Sequence, residues 1–153
     1  MKLSEQLNKG DKVYVVDKSS IYGENWREMR VKNITPKGRI RLSNDWLADE
    51  NGVISYHTYI LPKTKENALR REFIQLKWYS EILIHSLNIS YKVLHELNNE
   101  DIERFATLLL EQADVLLNDK GAERKLDTAF KVRAEELGDI LKNISNLKKE
   151  CNK

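Results

Sequence analysis

Val31-Lys32-Asn33-Ile34-Thr35-Pro36-Lys37-Gly38-Arg39-Ile40-Arg41-Leu42 is the stretch that decides how the first half of the chain folds. Apolar and β-branched residues flank a Thr-Pro-Lys-Gly core. Proline presets the φ of a turn's second residue, and glycine supplies a positive φ that other residues resist. The stretch therefore reads as two antiparallel strands joined by a tight turn. Two registers compete. A two-residue Pro36-Lys37 loop sets Val31 opposite Leu42, Asn33 opposite Ile40 and Lys32 opposite Arg41, a like-charge pair that destabilises a sheet. With Gly38 as a bulge residue, Ile34 pairs with Ile40 and the charges disperse.

Working outward, Lys12 to Val16 reads as a preceding strand, Arg27 to Ile34 and Arg39 to Ser43 as the hairpin, and Val53 to Ile60 as a fourth strand. Asp49-Glu50-Asn51-Gly52 is a turn before the last of these. The first 62 residues carry four of the six glycines and both prolines. Short strands at this spacing hide their edges only by curling, so residues 8–62 are expected to form a small SH3-like β-barrel.

Beyond Pro62 apolar residues recur at helical spacing, and residues 63–153 are expected to be helical. Leu69, Phe73, Leu76, Leu83 and Leu87 line a first helix over about 65–87, which Asn88-Ile89-Ser90 bends or ends. Asn98 or Asn99 caps a second over 100–117, striped by Ile102, Phe105, Leu109, Ala113 and Leu116 and stopped near Gly121. The third, over 123–149, steps through Leu126, Phe130, Leu137, Ile140, Ile144, Leu147 and Cys151, with Arg133 as the one break. That repeat is a short coiled-coil signal and points to bundle packing or a homodimer. The fold class is α+β: a small N-terminal barrel, then a three-helix region.

Composition bounds the class. The chain has 153 residues, 41% hydrophobic and 33% charged, too apolar for disorder and too charged for a membrane protein. No run approaches the roughly 20 apolar residues of a membrane span. Met1 to Leu7 has no apolar signal-peptide core, which makes the cytoplasm the expected compartment. The single cysteine, Cys151, can make neither a disulfide framework nor a thiolate zinc site alone.

The chain resembles a group of small phage-encoded β-barrel proteins of unknown function. The resemblance rests on Gly10-Asp11-Lys12-Val13-Tyr14-Val15-Val16, on Val31 to Ile40, on the Asn51-Gly52 turn and on the Tyr59-Ile60-Leu61-Pro62 exit. It continues through the Glu66 to Ser86 helix and Leu97-Asn98-Asn99-Glu100-Asp101-Ile102, covering about residues 10–112. Asn33 and Pro36 depart from the group's plainer strand and turn, and the helix after Gly121 lies outside it. The resemblance implies a phage or prophage setting and a fold, and it transfers no catalytic residue.

Chemistry is sparse. His57, His85 and His95 form no pair with ligand spacing; Glu81 and His85 share a helix face, but two groups are not a metal site. There is no phosphate loop, nucleophile elbow or His-Glu-x-x-His helix, and Asp49-Glu50 and Glu135-Glu136 read as solvated acids. The expectation is a non-enzyme with no metal and no cofactor. Arg30, Lys32, Lys37, Arg39 and Arg41 give the hairpin a cationic face, with Trp26, Arg27 and Tyr56 at its margin. Residues 1–65 hold 12 basic and 8 acidic residues, net +4, and residues 66–153 hold 14 and 16, net −2. That excess is modest for a dedicated nucleic-acid binder. Ile74, Trp78, Ile82, Ile84, Ile89 and Val93 lie off the main stripe and make the first helix apolar around much of its circumference, which implies contact on more than one side: cover by the barrel and the other helices, or a partner-binding surface around Trp78 and Tyr79 or a dimer interface. The expected function is non-enzymatic binding of a host or phage protein, as an inhibitor of host nucleoprotein or defence machinery such as a CRISPR nuclease. The alternative is nucleic-acid binding by the basic barrel face.

Overall fold

Val13-Tyr14-Val15-Val16 is a continuous apolar run, and the computed structural model shows why: all four side chains are buried. The structure describes residues 1–19, 23–86, 94, 97–118 and 128–152. The run lies in strand β1 (Lys12–Asp17), which pairs on one side with β2 (Asn25–Ile34) and on the other with β6 (Thr58–Pro62). A strand with neighbours on both edges and cover on both faces has no polar positions to alternate with. Val13 and Val15 point into the barrel with Leu7, Val31, Ile40, Leu42, Ala48 and Ile60. Tyr14 and Val16 take the opposite face, where Tyr14 meets Trp26 with ring centroids 5.5 Å apart.

Beyond β2 run β3 (Ile40–Leu42) and β4 (Leu47–Ala48); beyond β6 runs β5 (Val53–Ser55), giving the sheet order β4-β3-β2-β1-β6-β5. All pairings are antiparallel. The sheet curls until its ends nearly meet: Asp49 N, just after β4, donates to Val53 O of β5 at 2.9 Å. The result is a nearly closed, barrel-like sheet.

Three features differ from the sequence expectation. The expected strand from Val53 to Ile60 is two strands, β5 and β6, reversed at Tyr56-His57. That turn has no Gly, Pro, Asn or Asp to mark it. A fourth short strand, β4, precedes the Asp49–Gly52 turn. The barrel also begins before residue 8: a single helical turn, α1 (Leu3–Gln6), packs Leu3 against its core and leads to the buried Leu7. Ser4 N donates to Glu50 O at 3.0 Å, and Lys2 pairs with Glu50 at 2.9 Å, fixing this turn over the β4–β5 connection.

The chain divides into two compact units, Met1–Asn67 and Ala68–Lys153. In the second, α2 (Lys65–Ser86), α3 (Asn99–Leu117) and α4 (Thr128–Cys151) share one core. Asn98 caps α3, its side chain accepting from Asp101 N at 2.8 Å. The buried stripe of α3 is Ile102, Ala106, Leu109 and Ala113. Phe105 packs at its edge, and Leu116 of the expected stripe is exposed. In α4, Phe130, Ala134, Leu137, Ile140 and Ile144 are buried within the same core. Four residues of its heptad seam, Phe130, Leu137, Ile140 and Ile144, are therefore packed within the chain. In α2, Phe73, Leu76, Leu83 and Ile84 are buried, and Ser80 occupies the gap in the stripe. Lys148 ties the three helices, pairing with Glu103 of α3 and lying 5.7 Å from the Phe73 ring centroid. Leu87, the Asn88-Ile89-Ser90 break, His95, the Gly121 stop and Leu126 lie outside the described residues.

Candidate functional site

The β2–β3 hairpin combines both sequence registers. Gly38 N donates to Thr35 O at 2.8 Å, Thr35 N donates to Arg39 O at 2.9 Å, and Gly38 has φ +80°. The loop is thus the three-residue Pro36-Lys37-Gly38 turn, with glycine in the left-handed position. Near it Ile34 faces Ile40; farther on Val31 faces Leu42; the mismatch is absorbed between Val31 and Asn33. Lys32 is the extra residue, and Asn33, not Lys32, stands opposite Arg41. The expected Lys32–Arg41 juxtaposition is therefore absent, because a bulge moves one of the two charges out of the ladder.

Lys32 finds a counter-ion instead. Its Nζ lies 2.7 Å from Asp45 Oδ1 in the β3–β4 turn. The hydrogen bond from Lys32 and its charge hold the Asp45 carboxyl below the usual carboxylate range, with a smaller contribution from Arg41. Arg30 Nη1 donates to Gly10 O at 3.1 Å. A like-charge cross-strand pair does occur, Lys12 opposite Arg30, and Glu28 relieves it by pairing with Lys12 at 3.3 Å. Lys63 also bonds Glu28, at 2.9 Å, and together the two lysines hold that carboxyl low. Lys18 pairs with Glu24 at 3.4 Å and sits over the Tyr59 ring. Much of the barrel's positive charge is thus matched locally. Among the described residues, no carboxylate lies within ion-pair distance of Lys37, Arg39 or Arg41.

The aromatic residues expected around this face divide. Trp26 is buried, its indole tilted 55° to the Tyr14 ring and its Nε1 donating to Glu24 Oε2 at 2.8 Å, so it offers no ring to a partner. A tryptophan starting a strand that alternates into a covered face is drawn inside by its own area. Tyr56 stands fully out at the β5–β6 turn, 95% exposed, edge-on to His57. Trp78 and Tyr79 belong to the helical unit: Trp78 is 40% exposed on α2, and Tyr79 packs against the helical core.

The sequence did not single out Trp46. It is 42% exposed and, with Leu47, Ile54, Ser55 and Thr58, lines a groove of about 240 Å³ where β4 approaches β5. Its signal is weak: an apolar Trp46-Leu47-Ala48 triplet directly after the Ser43-Asn44-Asp45 turn. That turn places it. Asp45 N donates to Leu42 O, Leu42 N donates to Trp46 O, and Asp45 takes φ +68°. Asn44 Oδ1 accepts from Trp46 N at 3.1 Å. Arg41 and Leu47 are direct partners across β3 and β4 and share one face of the sheet, whereas Trp46 stands across from Leu42.

Among the described residues, no group of three or more His, Cys, Asp or Glu side chains is placed to hold a metal ion. No helix among them is long and apolar enough to cross a membrane. No protein-family model matches the chain, and no curated protein or solved structure matches it.

Proposed function

We propose that this chain is a non-enzymatic binding protein of phage type that grips a protein partner through an SH3-like barrel, acting as an inhibitor of host machinery. The observation that carries the binding mode is the pairing at the barrel surface. Lys2, Lys12, Lys18, Lys32 and Lys63 each have an acidic partner, while Trp46, Val53 and Tyr56 stand exposed. Phosphate binding draws on unneutralised cations, whereas protein contacts draw on desolvated aromatic anchors with a polar rim. On this surface five lysines are matched by acids and Trp46, Val53 and Tyr56 stand open, which supports the second mode, while Lys37, Arg39 and Arg41, without an ion pair among the described residues, keep the first as the alternative. The phage setting follows from the resemblance of residues 10–112, and the inhibitor role follows from that setting.

The non-enzymatic reading is supported by the sequence, which holds no phosphate loop, nucleophile elbow or His-Glu-x-x-His helix.

The test is a pair of binding measurements on the full chain: anisotropy titrations against single-stranded DNA and RNA 20-mers at low and high salt, and capture from a nuclease-treated bacterial lysate. The expected result is weak oligonucleotide binding that disappears with salt, and one host protein retained after nuclease digestion. Tight oligonucleotide binding, or capture abolished by nuclease, would instead establish the barrel as a nucleic-acid module.

A further inference from the structure

We infer that Asn51 is a site of covalent self-modification: its side-chain amide is attacked by the Gly52 main-chain nitrogen, and the isoaspartate that results unlocks the β4–β5 seam. The inference is independent of the binding reading. Asn51-Gly52 is the one Asn-Gly pair in the sequence, so no side chain on the following residue crowds the approach of its nitrogen. The electrophile is free: Asn51 is exposed, and its side chain has no hydrogen bond among the described residues. The nucleophile is latched. Gly52 N donates to Asp49 O at 3.0 Å, and Asp49 Oδ1 accepts from Asn51 N and Val53 N, each at 2.9 Å. These bonds fix the turn, so the reaction waits on its local opening.

The step balances with water and hydroxide alone. Hydroxide takes the Gly52 amide proton, the nitrogen bonds to Asn51 Cγ, the Cγ–Nδ2 bond breaks, and ammonia leaves with a proton from water, closing a cyclic imide. Water then opens the imide. Cleavage at Cγ gives aspartate; cleavage at the main-chain carbonyl gives isoaspartate, whose main chain runs through Cγ and is longer by a methylene. This turn has no room for that length. Gly52 O accepts from Ile60 N at 2.7 Å, and Gly52 lies so close to Leu3 that a Cβ on it would stand 2.6 Å from Leu3 Cδ2. Asp49 N donates to Val53 O at 2.9 Å, the bond that brings β4 to β5, and Ser4 N donates to Glu50 O in the same turn. Isoaspartate at position 51 therefore loosens both the seam and the α1 turn seated on it.

The experiment incubates the full-length protein at pH 8 and 37 °C, natively and in urea. It follows the amide-to-acid mass gain in the tryptic peptide of residues 42–63, and isoaspartate by enzymatic carboxyl methylation. The gain should be fastest in urea and slower in the native chain. Asp49→Ala should accelerate the native reaction at least about fivefold, the factor that one net hydrogen bond sets, and Asn51→Gln should abolish it. The separated isoaspartyl protein should melt below the parent and lose hydrogen-exchange protection at the Gly52, Val53 and Ile60 amides. No gain even in urea, or a gain that survives Asn51→Gln, overturns the site. A native rate equal to the rate in urea overturns the latch. Should Asp49→Ala fail to fold, the parent decides the same point: modification that does not rise in step with Gly52 amide exchange on warming overturns the latch. An isoaspartyl protein with the parent's melting temperature and amide protection overturns the effect on the seam.

Discussion

Lys32 Nζ sits 2.7 Å from Asp45 Oδ1, joining a bulge in β2 to the turn that presents Trp46. The bulge frees Lys32 from the ladder, and the left-handed Asp45, φ +68°, aims its carboxylate back at it. One contact thereby ties the bulge in β2 to the β3–β4 turn.

Both ends of that contact can be separated by mutation. Lys32→Ala should cost about 0.2–1 kcal/mol, the range of an exposed ion pair. Asp45→Ala should cost about 1 kcal/mol more than Asp45→Gly, because both lose the pair but only alanine carries a Cβ into the left-handed region. Urea midpoints for the three variants decide this; equal losses for the two Asp45 variants would show that the turn relaxes.

Gly52 is constrained twice. Its φ is +91°, and a Cβ there would lie 2.6 Å from Leu3 Cδ2 and 3.2 Å from Ile60 O. Gly10, at φ +92°, has nothing within 4 Å of the same position. Gly52→Ala should therefore destabilise by more than about 1 kcal/mol and by more than Gly10→Ala, measured by thermal or urea unfolding.

Ser80 is fully buried and its Oγ has no hydrogen-bond partner among the described residues. An orphaned buried hydroxyl costs about 1–3 kcal/mol. Ser80→Ala should consequently be neutral or raise stability by about 1 kcal/mol, whereas Leu83→Ala, also fully buried in the same helix, should lose about 2–5 kcal/mol. Circular dichroism melts of the two variants provide the comparison.

Two carboxyls give opposite pH signatures. Burial raises Glu72 above its ordinary range, against smaller opposing effects of Arg71 and Asn143. Its native state holds a proton more tightly than the unfolded chain, so its contribution falls as pH rises from the ordinary glutamate range through the raised value. Glu72→Gln should raise the melting temperature at pH 7 and leave it unchanged at pH 3. Glu28 is lowered, first by its hydrogen bond from Lys63, so its contribution is present above the ordinary range and lost as pH falls through the lowered value. Glu28→Gln should lower the melting temperature at pH 7 and converge with the parent in acid.

The fold was legible where pattern and turn chemistry agreed. Val13 to Val16, the Thr35-Pro36-Lys37-Gly38 turn and the Asn98 cap each declare their structure in residue type alone. Tyr56-His57 did not, since a turn without glycine or asparagine is imposed by the pairing of its flanks, Ser55 with Thr58. Lys32's place as a bulge was equally hidden: two registers were visible, but only the folded hairpin shows that both are used. The cationic residues were identifiable from sequence, but which of them meet an acid was not, because Asp45, Glu28 and Glu50 approach through tertiary contacts. Trp46 was missed for the same reason, its groove being made by strands β4 and β5 meeting at the sheet's seam.

Capture of a host protein by the parent and by Trp46→Ala, after nuclease digestion and at rising salt, tests the central claim most directly. The parent should hold one protein with a shallow salt dependence, and Trp46→Ala should hold at least tenfold less of it. Retention lost to nuclease, unchanged by Trp46→Ala, or falling with a logarithmic salt slope near −3, as about four phosphate contacts to a single strand would give, would contradict it.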